Sequence, residues 1–258
     1  MVQKSISNSS RYNGLEKIKM KNNNLKVYRS ELKYLISKTE YRAFINRLKH
    51  VLPKDKHSQM GEGYLVRSLY FDSYNDSSLN EKQAGILFRK KYRMRIYDFD
   101  TNEVKFEIKH KLNNQIFKET ATISRETAKK VMNEDYSDLL KYDNPILNKI
   151  HAKFVLGSYK PKIIVEYHRD AFNVGLFNIR ITIDKYTKMN HHNFDLFSRN
   201  MHTTPVNFQD KHVLEIKFNR VLPDYVRKIL QIDSFERVAF SKYVLSRRFL
   251  KKSSWEDN

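Results

Sequence analysis

Charged and apolar side chains alternate along three short stretches of this chain. The stretches cover residues 88–97 (FRKKYRMRIY), 106–111 (FEIKHK) and 213–218 (VLEIKF). Because successive residues of a β-strand point to opposite sides of the sheet, the charges of each stretch share one face and the apolar residues the other. The pattern predicts strands with a charged face on one side and a packing face on the other.

The remaining periodicity predicts an α+β protein. Further alternation predicts strands over 27–34, 66–72, 104–111, 116–124, 162–172, 178–185 and 212–218, with hairpin turns at LNNQ (112–115) and near Gly175. Helical spacing and capping residues predict a helix that starts near Thr39 and ends before Pro53, a turn or short helix over 73–85, and helices over 125–142, 146–156, 223–231 and 235–250. This proportion of strands indicates a largely antiparallel sheet.

The composition favours an anionic partner. Against 29 Asp and Glu stand 49 Lys and Arg, which gives a net charge of +20, and such a field attracts nucleic acid, phosphate or an acidic membrane surface. The chain has no cysteine, which excludes disulfides, thiolate metal sites and cysteine nucleophiles. Its six glycines form no Gly-rich phosphate loop, so any nucleotide must be held by side chains.

The chain is expected to form one soluble, cytoplasmic domain. Residues 1–26 are rich in Ser, Asn and Lys, which predicts a flexible basic lead. The folded domain is expected over 27–250, followed by a short tail over 251–258. No apolar run in the sequence approaches the roughly 20 residues of a spanning helix, and the N-terminus has no signal-peptide core.

The charged faces have two interpretations. In the first, they are the solvated outer faces of a half-buried antiparallel sheet, which is the usual reason for such alternation. In the second, the sheet curls into a barrel and the charges line its interior, where they need water or a ligand. The repetition of Arg and Lys along single strands favours the second, because like charges on one face repel unless an anion lies between them.

Eight short motifs follow one another along the chain. They are Arg29-x-Glu31-x-Lys33-Tyr34, SLYFDS (68–73), Arg93-x-Arg95-x-Tyr97, FEIKHK (106–111), Tyr167-x-Arg169-x-Ala171-Phe172, RITID (180–184), LEIKF (214–218) and FSKY (240–243). In this order they resemble the VTC domain, the polyphosphate polymerase module of the vacuolar transporter chaperone family within the triphosphate tunnel (CYTH-like) superfamily, and the resemblance covers roughly residues 27–250.

The resemblance implies a fold and a reaction. The fold is an α+β tunnel, an eight-stranded antiparallel β-barrel with flanking helices. The reaction is the transfer of the γ-phosphoryl group of ATP to a growing polyphosphate chain, with release of ADP and a requirement for Mn²⁺ or Mg²⁺. The partners are ATP and polyphosphate, with room for a separately encoded membrane partner and no nucleic acid expected. Phosphoryl transfer suits the residue types, because it needs positioning and charge neutralisation more than a protein nucleophile.

The resemblance also implies roles for individual residues. Glu215 is the best metal ligand, Glu31 is a second, and Glu107 is a weaker third. Catalysis is assigned to Arg93, Arg95, Lys109, Lys242 and Glu215. Phosphate binding is assigned to Lys33, Arg93, Arg95, Lys109, Lys118, Arg169, Arg180 and Lys242.

Three functions remain open at this point. Hydrolytic tunnel enzymes open with Glu-x-Glu-x-Lys, whereas this chain has Arg29 at the first acidic position, and this favours a polymerase over a triphosphatase. The triphosphatase is the second hypothesis. The third is a non-enzymatic protein that binds RNA or polyphosphate, for which a charge of +20 is sufficient cause.

Overall fold

The computed structural model describes residues 29–52, 63–113, 115–174, 178–206, 211–219 and 221–256. The predicted N-terminal lead, 1–26, lies outside the described residues. The described residues form nine strands and six α-helices, which confirms the α+β prediction. The strands are β1 (Ser30–Ser37), β2 (Tyr64–Asp72), β3 (Phe88–Ile96), β4 (Glu103–Leu112), β5 (Gln115–Ser124), β6 (Lys160–Val174), β7 (Ile179–Asn190), β8 (Thr204–Pro205) and β9 (Lys211–Phe218). The helices are α1 (Lys38–Val51), α2 (Ser77–Gln83), α3 (Arg125–Met132), α4 (Pro145–Leu156), α5 (Asp224–Leu230) and α6 (Lys242–Glu256).

Eight of the strands form one curled antiparallel sheet in the order β1-β9-β7-β6-β2-β3-β4-β5, and the two-residue β8 pairs with β7 beside this path. The sheet is not closed by continuous pairing of its edges. Its edge strands meet where the backbone groups of Arg29 and Ile116 exchange hydrogen bonds of 3.1 and 3.2 Å. The predicted eight-stranded tunnel is thus present as a curled sheet.

The alternation along the strands separates an outer apolar face from an inner charged face. On β3, Tyr92 and Met94 belong to the hydrophobic core that packs against α3 and α4, whereas Arg93 and Arg95 line an interior cavity. A second core packs β1, β7 and β9 against α1 and α5. The interpretation of the charges as a solvated outer face is therefore wrong.

Several predicted boundaries differ from the structure. Strand β1 covers 30–37 and so continues past the predicted end at 34, while the predicted positions 27 and 28 lie outside the described residues; β6 and β7 are longer than predicted. Ser37, not Thr39, caps α1, since its hydroxyl accepts from the Glu40 amide at 3.1 Å and the Glu40 carboxylate accepts from the Ser37 amide at 2.6 Å. The predicted helix over 125–142 ends at Met132. Glu134 then adopts a φ of 66°, and a separate 3-10 helix covers 137–142.

The last helix begins later than predicted. Residues 235–241 are not helical, because the Val238 amide donates to the Lys33 carbonyl at 2.9 Å and Arg237 forms a bridge with Tyr34 of β1. Tertiary pairing therefore replaces the first two turns of the predicted helix over 235–250. Helix α6 starts at Lys242 and continues to Glu256, so the predicted tail over 251–258 begins within it.

Candidate functional site

The curled sheet encloses a cavity of about 680 Å³ that is lined mainly by cations. The lining residues come from strands β1 to β6 and β9, from α2 and from the segment 237–243. Among the described residues, two carboxylates line it, those of Glu31 and Glu215. The lining cations are Lys33, Lys82, Arg89, Lys91, Arg93, Arg95, Lys109, Lys111, Arg169, Lys217, Arg237 and Lys242.

Strand periodicity places these cations in rows. Along β3, the alternate residues from Arg89 to Arg95 all line the cavity. Six residue steps of a strand span roughly 20 Å, so one strand offers positive charge over a long path. The opposing strand β4 continues the pattern, with Lys111 opposite Arg89 and Lys109 opposite Lys91. A cavity of this kind suits an extended anion with many charges.

Glu31 and Glu215 form a carboxylate pair on β1 and β9. The Lys33 Nζ lies 2.7 Å from the Glu31 carboxylate, the Lys109 Nζ lies 3.1 Å from it, and the Lys217 Nζ lies 3.0 Å from the Glu215 carboxylate. Burial raises the pKa of Glu215, but Lys217 and Lys33 outweigh it and hold that pKa well below its usual value. Glu215 is therefore ionised at neutral pH.

Asp184 on β7 organises a second group of cations. The Arg169 guanidinium donates to both Asp184 oxygens, at 2.6 and 2.9 Å, and Lys242 Nζ also donates to this carboxylate. Burial raises the pKa of Asp184, but Arg169 and Lys242 lower it further than burial raises it. Asp184 is the last residue of the RITID motif, for which no role was predicted, and here it positions two of the predicted site residues, Arg169 and Lys242.

Arg93 and Arg95 are held by a third group of neighbours. The Arg93 Nε donates to the Glu107 carboxylate at 2.6 Å, and its Nη1 donates to the Tyr70 hydroxyl at 3.2 Å. The Arg95 Nη2 donates to the Tyr167 hydroxyl at 3.2 Å. Burial raises the pKa of Tyr70, but the two guanidinium groups lower it below its usual value. These bonds fix the direction of each guanidinium and leave further donors for a ligand.

Five cavity cations form no ion pair with a carboxylate in the described part of the chain: Lys82, Arg89, Lys91, Lys111 and Arg237. We call the first four the cation-only end. Lys91 Nζ donates instead to the Ser241 hydroxyl at 3.0 Å. Burial, followed by repulsion from Lys109 and Lys33, holds the pKa of Lys91 well below its usual value.

The carboxylate pair fits a hard divalent ion that is shared with phosphate. Mg²⁺ and Mn²⁺ prefer oxygen ligands, and Mg²⁺ is often held by one or two carboxylates together with phosphate oxygens. Within the described ranges, no group of three or more His, Cys, Asp or Glu could hold a metal by itself. Glu31 and Glu215 would therefore hold the ion jointly with the ligand. Glu107, the weaker candidate, does not line the cavity and is bonded to Arg93 and Lys118.

Most of the predicted site residues line the cavity. Lys118 and Arg180 do not: Lys118 contacts Glu107, and the Arg180 Nη2 donates to the Tyr64 hydroxyl at 3.2 Å. The roles of all of them stay predictions. The cavity brings together Lys33, Arg93, Arg95, Lys109, Arg169, Lys242, Glu31 and Glu215.

Several lining cations were not predicted as site residues. Arg89, Lys91, Lys111 and Lys217 lie on the alternating strands, so their spacing already placed them on the charged face. Lys82 and Arg237 have no such signal, because α2 and the segment before α6 reach the cavity only through tertiary packing.

None of the helices in the described segments is long and apolar enough to cross a membrane.

Solved structures with similar folds share little sequence with this chain. A candidate adenylyl cyclase from Hippeastrum, HpAC1, described as having a dominant triphosphatase activity, matches with a TM-score of 0.52 and 12% identity over 86% of this chain and 95% of that one. A candidate adenylate cyclase from Bacillus halodurans matches with a TM-score of 0.49 and 15% identity over 84% and 93%. At 12% identity the similarity to the Hippeastrum protein shows a shared fold.

The sequence itself matches one family. A search of curated proteins found no significant match. The VTC domain family, in contrast, matches residues 28–251, which is most of the chain and covers all the cavity-lining residues. This chain belongs to the VTC domain family.

Proposed function

We propose that this protein is a metal-dependent phosphotransferase that moves the γ-phosphoryl group of ATP onto a growing polyphosphate chain and releases ADP. The family and the fold support an enzyme that acts on triphosphates. The choice of transfer over hydrolysis rests on the state of the carboxylates around the cavity.

Three carboxylates in or beside the cavity are poor bases. Neighbouring cations overcome the effect of burial and lower the pKa values of Glu107, Asp184 and Glu215. A general base for water works best when its pKa lies near the working pH, so these groups are badly suited to activate water. The terminal oxygen of a polyphosphate chain is already anionic and needs no base. This observation carries the proposal.

The cations would position and neutralise the phosphates. Arg93, Arg95 and Arg169 can each present several donors in a fixed plane, which suits phosphate oxygens. Lys33, Lys109 and Lys242 add mobile point charges. Because these groups are already held by neighbouring carboxylates and hydroxyls, little reorganisation is needed when charge develops on the transferring group. Glu31 and Glu215 would hold Mn²⁺ or Mg²⁺, which neutralises phosphate oxygens when bound.

A triphosphatase is the second candidate. The Hippeastrum protein with this fold is described as having a dominant triphosphatase activity, and a cavity that binds triphosphate could also admit water. The presence of Arg29 at the first acidic position of the opening motif counts against this candidate, because it removes one carboxylate from that motif.

The decisive experiment is incubation of the purified protein with ATP and Mn²⁺, with separation of the products on a gel and a parallel orthophosphate assay. We expect a polyphosphate ladder together with ADP. Orthophosphate without a ladder would replace the transferase by the triphosphatase. No turnover with either Mn²⁺ or Mg²⁺ would leave a binding protein.

Glu215→Gln tests the metal assignment in the same assay. The variant keeps the shape of the side chain but loses the ionic ligand, and we expect turnover to fall by at least about 100-fold, as for other electrostatic contributors. Glu103→Gln is the matched control, because Glu103 is on the exposed end of β4 and pairs only with Lys105 in the described residues. Binding of polyphosphate without metal should persist in Glu215→Gln, since the variant only makes the cavity more positive.

A further inference from the structure

Three consecutive apolar side chains are exposed where the chain passes from α2 into β3. Ile86, Leu87 and Phe88 are 46%, 54% and 66% exposed, and we call them the apolar tip. Residues 83–85 before them are exposed as well. A side chain added at Gly85 would meet no atom of the described residues within 4 Å. The segment therefore projects into open space.

The backbone of the apolar tip is held in place by hydrogen bonds. The Ile86 amide donates to the Glu81 carbonyl at 3.0 Å, and the Asn113 amide, from the turn between β4 and β5, donates to the Leu87 carbonyl at 3.1 Å. The Arg89 guanidinium donates to the Ile86 carbonyl. Apolar side chains that are exposed singly are normal, but an adjacent group held in a fixed position is typical of an interaction site.

Cations surround the apolar tip, and three of them belong to the cation-only end. Arg89 and Lys90 directly follow the tip along the chain, and Lys111 lies opposite Arg89 on β4. The sequence contains no Asp or Glu over 82–97 or over 108–118 of the adjoining hairpin. The surface thus complements a partner that is apolar at its centre and anionic around it. The flanking cations, all exposed or half-buried, are Lys82, Arg89, Lys90 and Lys111.

The charge and the size of this surface distinguish between partners. A second copy of the chain would bring the same cations against each other, and like charges across an interface repel. A stable protein interface buries roughly 800 Å² on each partner, whereas three partly exposed side chains offer less, since even a whole aromatic side chain buries at most about 250 Å². A bilayer surface needs less area, because apolar side chains enter the headgroup boundary while Lys and Arg contact anionic headgroups.

We propose that the apolar tip inserts into the surface of an anionic lipid bilayer, with the four flanking cations against the lipid headgroups. The contact is peripheral and reversible, because three side chains form only a shallow anchor. It involves neither ATP nor metal. The membrane contact and the proposed reaction are therefore independent, and each can fail without the other.

The test is co-sedimentation with vesicles of phosphatidylcholine alone or of phosphatidylcholine mixed with phosphatidylglycerol, without ATP or metal. The variant is the double substitution Leu87→Asn and Phe88→Asn, which leaves the net charge unchanged. We expect the unmodified protein to bind the mixed vesicles, and the variant to bind them roughly 10-fold more weakly or less, because it loses the transfer of two apolar side chains from water. Binding to phosphatidylcholine alone should be weaker, since its headgroups have no net charge.

The control is the double substitution Val155→Asn and Leu156→Asn. These residues end α4 and are 56% and 86% exposed, so the control also removes exposed apolar surface without changing the charge. We expect it to bind the mixed vesicles like the unmodified protein. A net charge of +20 attracts any anionic surface, so equal binding by both double variants would overturn the role of the apolar tip. Circular dichroism of each variant confirms that the fold is intact.

Phe88→Trp measures insertion directly. We expect its fluorescence to shift to shorter wavelength when mixed vesicles are added, because the indole leaves water; the unmodified protein, whose one Trp is Trp255, gives the background. Sedimentation without such a shift would mean adsorption without insertion and would overturn the proposal. Self-association without vesicles, seen by analytical ultracentrifugation and lost in Leu87→Asn with Phe88→Asn, would assign the apolar tip to a second copy of the chain instead.

Discussion

The two faces of the curled sheet are formed by the same strands but bury different kinds of side chain: apolar on the outer face and charged on the inner face. On the outer face, Phe154 of α4 is the centre of an aromatic cluster in which its ring lies 5.1 to 5.7 Å from five other rings. Their burial removes a large apolar area from water, which favours folding. The partners of Phe154 are Phe71, Tyr92, Phe106, Tyr136 and Tyr159.

The inner face buries charge instead. Glu107 is 1% exposed, and Asp184 is also 1% exposed. Removing ions from water costs several kcal/mol for each, and their attraction to Arg93, Lys118 or Arg169 only offsets that cost. The comparison teaches that the outer face stabilises the fold, while the inner face tolerates a cost in stability in order to keep an anion-binding surface ready. Three changes test this division.

The largest expected effect on stability is that of Phe154→Ala. Deletion of a buried aromatic ring costs about 3–5 kcal/mol through lost contacts and the cavity that remains. None of the six rings of the cluster lines the interior cavity, so the affinity of the folded variant for polyphosphate should match that of the unmodified protein. Urea unfolding measures the change in the free energy of unfolding, and calorimetry at low temperature measures the affinity for polyphosphate.

Leu156→Ala is the matched control for this change. Leu156 is in the same helix two residues later and is 86% exposed, so its free energy of unfolding should change by no more than about 0.5 kcal/mol. A weaker polyphosphate affinity in folded Phe154→Ala would contradict the division between the two faces, because it would show that the outer cluster sets the inner geometry.

Glu107→Gln should have the next largest effect. It leaves the guanidinium of Arg93 and the ammonium of Lys118 without a counter-ion, and breaking a buried ion pair on one side costs about 3 kcal/mol or more. Tripolyphosphate should restore part of that loss, since an anion in the cavity replaces the missing charge and stabilises the folded state by mass action. Thermal unfolding without tripolyphosphate measures the loss of stability, and thermal unfolding with tripolyphosphate measures its partial recovery.

Glu103→Gln provides the comparison on the same strand. The Glu103 side chain is 71% exposed and pairs with Lys105 at 3.2 Å, and such surface pairs contribute at most about 1 kcal/mol. If Glu107→Gln were no more destabilising than Glu103→Gln, the inner carboxylates would not be needed to balance the cations, and the account of the inner face would be wrong.

The sequence was most informative where the alternation along a single strand predicts which side chains share a face. The alternation of Arg93 and Arg95 with Tyr92 and Met94 predicted both the strand and the side on which each residue lies. The charge bias then favoured an interior location over a solvated face, and the cavity confirms it. Local pattern suffices here because strand geometry alone decides which side chains share a face.

The sequence was least informative where distant segments meet. Residues 235–241 have helical character in the sequence, but they are not helical in the structure, where the Val238 amide donates to the Lys33 carbonyl. Lys82 reaches the cavity from a short helix, and no periodicity marks it. Asp184 of β7 forms ion pairs with Arg169 of β6 and Lys242 of α6. A single sequence does not show that residues so far apart along the chain come into contact. Only the family resemblance singled out Lys242.

The smallest expected effect is the loss of free energy of unfolding at acidic pH, expressed per carboxyl group and per pH unit. The folded pKa values of Glu107 and Glu215 are lowered, since their neighbouring cations outweigh burial. Their contribution to stability is therefore complete above the unfolded pKa of about 4.3 and is lost as the pH falls from there toward the lower folded pKa. Each such carboxylate should add a slope of up to about 1.4 kcal/mol per pH unit in that window. Urea unfolding at intervals from pH 7 to pH 3 measures the slope, which should be nearly flat above pH 5.5.

Glu215→Gln isolates one of these groups. Below pH 4, the slope of its free energy of unfolding against pH should be lower than that of the unmodified protein by the contribution of one proton. The reason is that the variant has no carboxyl group to titrate at that position. Glu103→Gln, which removes an exposed carboxyl group, is the matched control for the loss of one charge. An unchanged slope in Glu215→Gln would mean that Glu215 has an ordinary pKa, and the conclusion that Lys217 and Lys33 stabilise its ionised form more than burial opposes it would then be wrong.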